Sequence, residues 1–255
     1  MNNQILKQLL DQEVLKRDIY EEISSDNPDP MIVAREYKDE YISLICALFS
    51  YGKASLIVKF LNSLNFSLLN ESEEVIKKEL KDKYYRFQNS QDVINIFLTI
   101  KRAKEQFSLE DIFIHGYKRE NSVIDGLNSL ISTLYKLNSY NSKGYQFLLS
   151  KPPTNCSKST YKRWNMYLRW MVRYDNIDMG LWKRVKTKDL LIPLDTHTFK
   201  VSQQLGLLDR KSYDLKAVIK LTQKLKEFDE DDPIKYDFAL YRIGQQKIDL
   251  IDQSK

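Results

Sequence analysis

The chain has 255 residues, 42% of them hydrophobic, and is therefore long enough to bury one large core or two small ones. Only 7 glycines and 6 prolines interrupt it, which disfavours sheets and Gly-rich phosphate loops. With 2 cysteines and 2 histidines, all widely spaced, the sequence predicts neither a disulfide framework nor a metal site. The net charge of +5 is compatible with nucleic-acid binding and equally with a solvated, lysine-rich surface.

The first half of the chain has the pattern of successive helices separated by short breaks. Residues 3–23 are spaced as an amphipathic helix, which the turn formers of 24–30 end. A largely apolar helix is predicted over about 31–50. Within 70–90 we expect a charged helix followed by an aromatic patch, and Ser90 has the character of the next N-cap. Because segments rich in Leu, Ile, Lys and Glu favour helix, the predicted fold class is all-α.

A polar connector, PPTNCSKS at 152–159, introduces the most informative region, since a strongly patterned helix follows it. Ser159 is the predicted N-cap of that helix, which places Lys162 in its first turn. One face of the helix is apolar. The other face carries three cations and a methionine at spacings of three and four: Lys162, Met166, Arg169 and Arg173. Arg169 and Arg173 suit either contacts to phosphate or the solvated side of an amphipathic helix.

The stretch LLIPLDTHTFKVSQQLGLL follows an irregular insertion, and Asp195 in it is predicted to cap a helix over about 196–205. The capping role alone accounts for an Asp at this position. It is also compatible with a functional role, because one carboxylate oxygen can cap while the other faces a site. A last helix is predicted to begin within DDPIKYDFALYRIGQQ, with Asp237 in its first turn.

These segments, in this order, resemble the helix-hairpin-helix DNA glycosylase superfamily. The likeness is to the archaeal GO branch, which acts on 8-oxoguanine, and to a related bacterial family without a characterised function. LICALFSYGK, KRWNMYLRWMVR, PLDTHT and DPIKYDFALYRIG carry the resemblance. It implies an all-α, two-lobed fold that spans 1–255 as a single domain, with the active site in the cleft between lobes. The hairpin and catalytic region would then be 143–206.

The resemblance implies that Lys162 is a nucleophile that attacks C1′ of a damaged nucleotide, and that Asp195 stabilises the developing positive charge. Such a lysine must lose its proton, which a first-turn position and desolvation both favour. A fixed carboxylate suits the oxocarbenium character of the sugar. The 33 positions that separate Lys162 from Asp195 exceed the spacing in the common branches and are similar to that in the archaeal branch.

The resemblance also implies a base pocket that contains Asp237 and Tyr241, with tyrosine where the archaeal proteins have tryptophan. Met166, one turn after Lys162 on the same face, is placed to line that pocket. The resemblance further implies a phosphate contact from the connector, whose hydroxyls, amides and one cation precede a helix: Asn155, Ser157, Lys158, Ser159 and Thr160. The connector has no glycine, which departs from the superfamily's hairpin. Ordinary structural roles are open for Asp237 as a first-turn acid and for Tyr241 as a core residue. The three tryptophans are expected to be packing anchors.

The expected function is a DNA glycosylase/AP lyase of base excision repair that excises 8-oxoguanine. Its partner would be damaged double-stranded DNA, and it would need no metal or other cofactor. We expect a cytoplasmic monomer without a membrane segment, because the apolar run YISLICALFSYG is shorter than the ~20 residues that span a bilayer. The alternatives are a glycosylase for another damaged base, a catalytically silent DNA-binding protein and a helical interaction module. The glycine-free connector favours the last two.

Overall fold

A computed structural model describes residues 2–154 and 156–246 of the chain. Within these ranges it contains thirteen α-helices, four short 3₁₀ helices and no strand, which confirms the predicted all-α class. In the same ranges, no helix combines the length and the apolar character that a membrane crossing requires.

The helices are numbered along the chain. They are α1 (Asn3–Arg17), α2 (Met31–Tyr37), α3 (Glu40–Leu48), α4 (Ala54–Asn62), α5 (Glu73–Glu79), α6 (Ser90–Gln106), α7 (Leu109–Tyr117), α8 (Val123–Leu137), α9 (Lys143–Leu149), α10 (Lys162–Val172), α11 (Thr196–Gln204), α12 (Leu215–Lys226) and α13 (Tyr236–Gln246).

The chain forms two compact units. The discontinuous unit consists of Met1–Glu22 and Asn155–Lys255, and the central unit of Ile23–Thr154. The discontinuous unit therefore contains α1 and α10 to α13, and the central unit contains α2 to α9. The region 143–206, expected to hold the hairpin and the catalytic residues, spans the boundary between the units. Both Lys162 and Asp195 lie on its discontinuous-unit side.

The predicted helix over 31–50 is wrong, because the chain forms α2 and α3 there instead. Lys38 adopts a left-handed conformation with φ of 48°, which ends α2. The Asp39 carboxylate then accepts hydrogen bonds from the backbone N–H groups of Tyr41 and Ile42 and starts α3. The Asp39 side chain pairs two backbone donors that would otherwise have no partner, and this starts a new helix although the apolar pattern is continuous.

Two other predicted helix ends shift for similar local reasons. Asn89, not Ser90, caps α6, because its side chain accepts from the Asp92 N–H at 3.0 Å while Asp92 accepts from the Asn89 N–H. The first helix ends at Arg17 rather than near residue 23. Asn176 donates one hydrogen bond to the carboxylate of Asp18 and another to its carbonyl, which holds the chain in its turn there.

Aromatic side chains from α10 form the centre of the core of the discontinuous unit. Trp164, Tyr167 and Trp170 are each no more than 1% exposed, and Trp182 packs edge-on against Tyr167 at 5.6 Å. Each such ring buries roughly 150–250 Å², so this cluster anchors α10 firmly. The expectation that the tryptophans are packing anchors is confirmed.

Candidate active site

Lys162 lies in the first turn of α10, as predicted, and is its first residue, but Ser159 is not the N-cap of the helix. The cap position is Tyr161, which has a left-handed φ of 52° and a buried ring. Ser159 instead accepts a hydrogen bond from the Tyr161 backbone N–H at 3.1 Å, and the Tyr161 hydroxyl donates to Ser157 at 3.1 Å. This tight turn uses the Ser159 hydroxyl before the helix begins, so α10 starts two residues later than a Ser159 cap would require.

The side chain of Lys162 is half-buried beside a sulfur atom. Its Nζ lies 3.6 Å from Sδ of Met166, one turn further along α10, and Met166 is 6% exposed. Within the described part of the chain, Lys162 forms no ion pair. The thioether of Met166 is thus a soft, uncharged neighbour of the amine.

Asp195 caps α11, as predicted. Its Oδ1 accepts from the backbone N–H of Thr198 at 2.8 Å, and the side chain is half-buried. Its Oδ2 makes no hydrogen bond to the residues that the structure describes. The preceding chain is held by buried Pro193 and by Leu194, whose carbonyl accepts from the Tyr213 hydroxyl at 2.8 Å. The cap thus fixes Asp195 and leaves one carboxylate oxygen for another partner.

Asp237, in the first turn of α13, is 5% exposed and forms a buried ion pair with Arg169. Burial raises the pKa of Asp237 to about 6, although the positive charge of Arg169 opposes the shift. The negative charge of Asp195 raises this pKa further and the positive charge of Lys162 lowers it. Lys162 and Asp195 are therefore both close enough to Asp237 for their charges to affect its ionisation.

The other half of α10 presents two arginines to a group of carboxylates. Arg169 donates through Nε to Asp178 at 3.2 Å, and Arg173 contacts the second oxygen of Asp178 at 2.7 Å. Arg173 also binds Asp232 at 2.9 Å and Asp175 at 2.7 Å. Asp178 is fully buried, and desolvation raises its pKa against the pull of both arginines. Arg169 is 5% exposed, so its predicted place on a solvated or phosphate-binding face is wrong.

Sequence reasoning missed this network because no local pattern pairs the arginines with their acids. Asp178 and Asp175 follow α10 within nine residues of Arg169, whereas Asp237 is 68 positions away. The available signal was the i, i+4 spacing of Arg169 and Arg173 on the face that also carries Lys162, followed closely by two aspartates.

Tyr241, one turn after Asp237, is half-buried beside α11. Its ring meets His197 edge-on, with 6.4 Å between centroids, and Phe238 at 6.2 Å. The two helices approach closely, since a Cβ added to Gly244 would lie 3.1 Å from Cβ of His197. Asp195 at the start of α11 and Asp237 at the start of α13 are thus carried by two helices in direct contact.

The predicted phosphate-binding connector is only partly exposed. Lys158 and Ser159 are exposed and Ser157 is half-buried, while Asn155 lies outside the described residues. Thr160 is buried, and its hydroxyl donates to the Tyr213 hydroxyl at 3.4 Å. Lys158 and Ser159 are therefore the most accessible described side chains of the predicted phosphate contact.

The described residues contain no group of three or more His, Cys, Asp or Glu side chains arranged to hold a metal ion. The helices α10, α11 and α13 thus place a lysine and a helix-capping carboxylate each within electrostatic range of one buried acid, Asp237. A sequence profile described as Protein of unknown function (DUF2400) matches residues 29–246, and the chain belongs to that family. Comparisons with curated proteins and with solved structures find no match.

Proposed function

We propose that this protein is a DNA glycosylase with AP lyase activity, which excises an oxidised purine from double-stranded DNA. The two-lobed helix-hairpin-helix glycosylase fold is part of the same proposal. The observation that carries it is the neighbourhood of Asp237, whose ionisation responds to Lys162 and to Asp195, 33 residues apart in sequence. Such a reaction requires a lysine nucleophile, a fixed carboxylate and a group that binds the base, and Lys162, Asp195 and Asp237 are proposed for these roles.

Lys162 is the nucleophile of the proposed reaction. The lone pair of its deprotonated Nζ attacks C1′ of the lesion nucleotide, and the bond from C1′ to the base breaks. The base leaves with that electron pair and takes up a proton. Opening of the sugar ring gives a Schiff base between Nζ and C1′. Loss of a proton from C2′ then expels the 3′ phosphate and nicks the strand, so no metal or other cofactor is needed.

Asp195 stabilises positive charge on the sugar in this proposal. Its Oδ1 is held by the cap, whereas Oδ2 has no hydrogen-bond partner among the described residues. A carboxylate that is already oriented needs no reorganisation as the oxocarbenium character develops, and this makes its charge effective.

Met166, Asp237 and Tyr241 form the base pocket of the proposal. Asp237 has one oxygen on Arg169, and its Oδ1 makes no hydrogen bond to the described residues. That oxygen can accept a hydrogen bond from an N–H of an extruded purine. The resemblance to the GO branch makes 8-oxoguanine the substrate of first choice.

Borohydride trapping tests the proposal directly. The protein is incubated with duplex DNA that contains 8-oxoguanine, and sodium borohydride reduces the Schiff base to a stable crosslink. Wild type and a Lys200→Ala control, which removes an exposed lysine of α11, should form the crosslink. Lys162→Ala should not. Trapping by Lys162→Ala at the wild-type level would show that another amine is the nucleophile.

The same experiment separates the alternatives. Crosslinking to a different lesion in a panel of duplexes identifies a glycosylase for another damaged base. No crosslink to any lesion or abasic duplex, together with salt-dependent DNA binding that survives Lys162→Ala, identifies a silent DNA-binding protein. The absence of DNA binding at low salt leaves the helical interaction module.

A further inference from the structure

An exposed aromatic cluster lies on the central unit, built from three separate segments. Tyr51 follows α3, Phe87 precedes α6, and Phe147 belongs to α9. The three rings contact one another, with centroid separations of 4.8 Å for Tyr51–Phe147, 4.9 Å for Phe87–Phe147 and 5.7 Å for Tyr51–Phe87. Phe87 is 57% exposed and Phe147 is 40% exposed, so the cluster presents aromatic surface to solvent. We call these three residues together with Arg86 the aromatic patch.

Arg86 is held against this cluster by a strained turn. Tyr85 and Gln88 exchange two backbone hydrogen bonds at 3.1 and 2.9 Å, and Arg86 between them has a left-handed φ of 55°. That conformation is unfavourable by roughly 1–2 kcal/mol for a residue with a side chain. The guanidinium lies 5.4 Å from the Tyr51 ring centre. A Cβ added to Gly52 would come within 2.4 Å of a guanidinium nitrogen of Arg86. Glycine at position 52 therefore leaves the space that Arg86 occupies.

The guanidinium of Arg86 has donors available to a ligand. Among the described residues it forms no hydrogen bond and no ion pair, and it stacks on the Tyr51 ring. Strained residues persist where the surrounding structure holds them, and they concentrate at functional sites. The combination points to a ligand that offers both a flat apolar face and negative charge.

The charge of the surrounding segments supports the same kind of ligand. Residues 51–53, 83–88 and 143–147 include four cations and no acidic residue. The cations are Lys53, Lys83, Arg86 and Lys143. Lys83 donates to the carbonyl of Ser63, and Lys53 and Lys143 are exposed. Exposed rings on segments that also carry positive charges match a strand of unpaired bases joined by phosphates.

We infer that the aromatic patch is a binding surface for single-stranded DNA. Phe87 and Phe147 stack on unpaired bases, and Arg86 contacts the adjoining phosphate. This inference rests on the proposed function only in the choice of DNA as the nucleic acid, and it does not involve the chemistry of Lys162. It gives the protein a second DNA contact, independent of base excision and without preference for damage.

Fluorescence anisotropy with an undamaged oligothymidylate of about 20 nucleotides tests the inference, since this length exceeds the roughly 4–16 nucleotides that one OB-fold domain, a common single-strand binder, covers. Wild type should bind in a salt-dependent manner. Phe87→Ala and Phe147→Ala should each weaken binding about tenfold, within the range measured for loss of one base stack. Arg86→Asn, which tolerates the left-handed backbone, should weaken it about two- to fivefold.

Two substitutions in the same unit serve as matched controls. Phe107→Ala removes a ring that is 43% exposed outside the patch, and Arg119→Asn removes an exposed cation. Both should bind like wild type, and circular dichroism should show wild-type helix content for every variant. The inference is overturned if wild type does not bind the strand, or if the folded Phe87→Ala and Phe147→Ala variants both bind as tightly as wild type. It is also overturned if these variants abolish self-association instead, which would make the patch an interface between copies.

Failure of this inference and failure of the proposed function give different results. Patch-dependent binding by wild type and Lys162→Ala alike, without borohydride crosslinking, supports the aromatic patch and removes the lyase. Crosslinking through Lys162 with no effect of Phe87→Ala or Phe147→Ala on strand binding supports the lyase and removes the aromatic patch.

Discussion

The two ends of α10 carry positive charges on one face of the helix, but they differ in burial and in ion pairing. At the first turn, Lys162 is half-buried beside Met166 and has no ion pair among the described residues. Two turns later, Arg169 is buried between Asp178 and Asp237, and Arg173 is held by further carboxylates. The arginine end is held by several ion pairs, whereas the lysine end carries the proposed nucleophile and has no such pair among the described residues.

The largest expected effect is at the arginine end. Arg169→Met should lower the free energy of unfolding by about 3–5 kcal/mol, because it leaves buried Asp237 without its cation and buried Asp178 with Arg173 alone. Urea denaturation followed by circular dichroism measures the change. A loss below about 1 kcal/mol would contradict a structural role for this pair and remove the contrast between the two ends.

The second expected effect is a pH dependence of stability that originates from Asp237. Its pKa is raised to about 6 in the folded protein, above the 3.8 of an ordinary aspartate, because it is buried. The folded state therefore holds this proton longer than the unfolded state. The stability that this group contributes is full below about pH 4 and is lost as the pH rises through about 6, at up to about 1.4 kcal/mol per pH unit.

Asp237→Asn tests this dependence, because it removes the titrating group and keeps the side chain's shape. Urea denaturation from pH 4 to pH 7 should show a smaller decline in stability for Asp237→Asn than for wild type. Parallel profiles for the two proteins would mean that Asp237 does not titrate in this range.

A smaller effect separates the capping role of Asp195 from its charge. Asp195→Ala should cost about 1 kcal/mol of stability, the usual value of a lost N-cap. Asp195→Asn keeps a capping oxygen and should be close to wild type in stability, yet it should lose most borohydride trapping because the negative charge is gone. Chemical denaturation and trapping are measured on both variants. Full trapping by Asp195→Asn would leave Asp195 with the structural role alone.

The smallest expected change in stability is at Lys162. Lys162→Met should shift the free energy of unfolding by no more than about 0.5 kcal/mol, since the lysine has no ion pair to lose among the described residues. The same variant should show no trapping. Thermal denaturation and the crosslinking assay measure the two effects. The expected result is the reverse of that for Arg169→Met, which should lose stability. A strong destabilisation by Lys162→Met would place both ends of α10 in the same structural role.

Local signals in the sequence predicted most of the helices and part of the candidate site. The Asp195 cap, the first-turn position of Lys162 and the start of α13 near Asp237 all depend on residues a few positions apart. The errors were also local. The Asp39 cap divides α2 from α3, and the Ser159 turn moves the start of α10. Both are side-chain hydrogen bonds to the local backbone, which the periodicity of apolar residues does not reveal.

The all-α class is predictable from the sequence alone, because helix propensity, apolar spacing and capping side chains act within one or two turns. The pairing of the charges depends on the tertiary structure. Arg169 and Asp237 are 68 positions apart. Packing of α13 buries Asp237 and pairs it with Arg169, and the burial raises the pKa of Asp237. Burial and long-range pairing depend on the folded path of the whole unit, which no local pattern specifies.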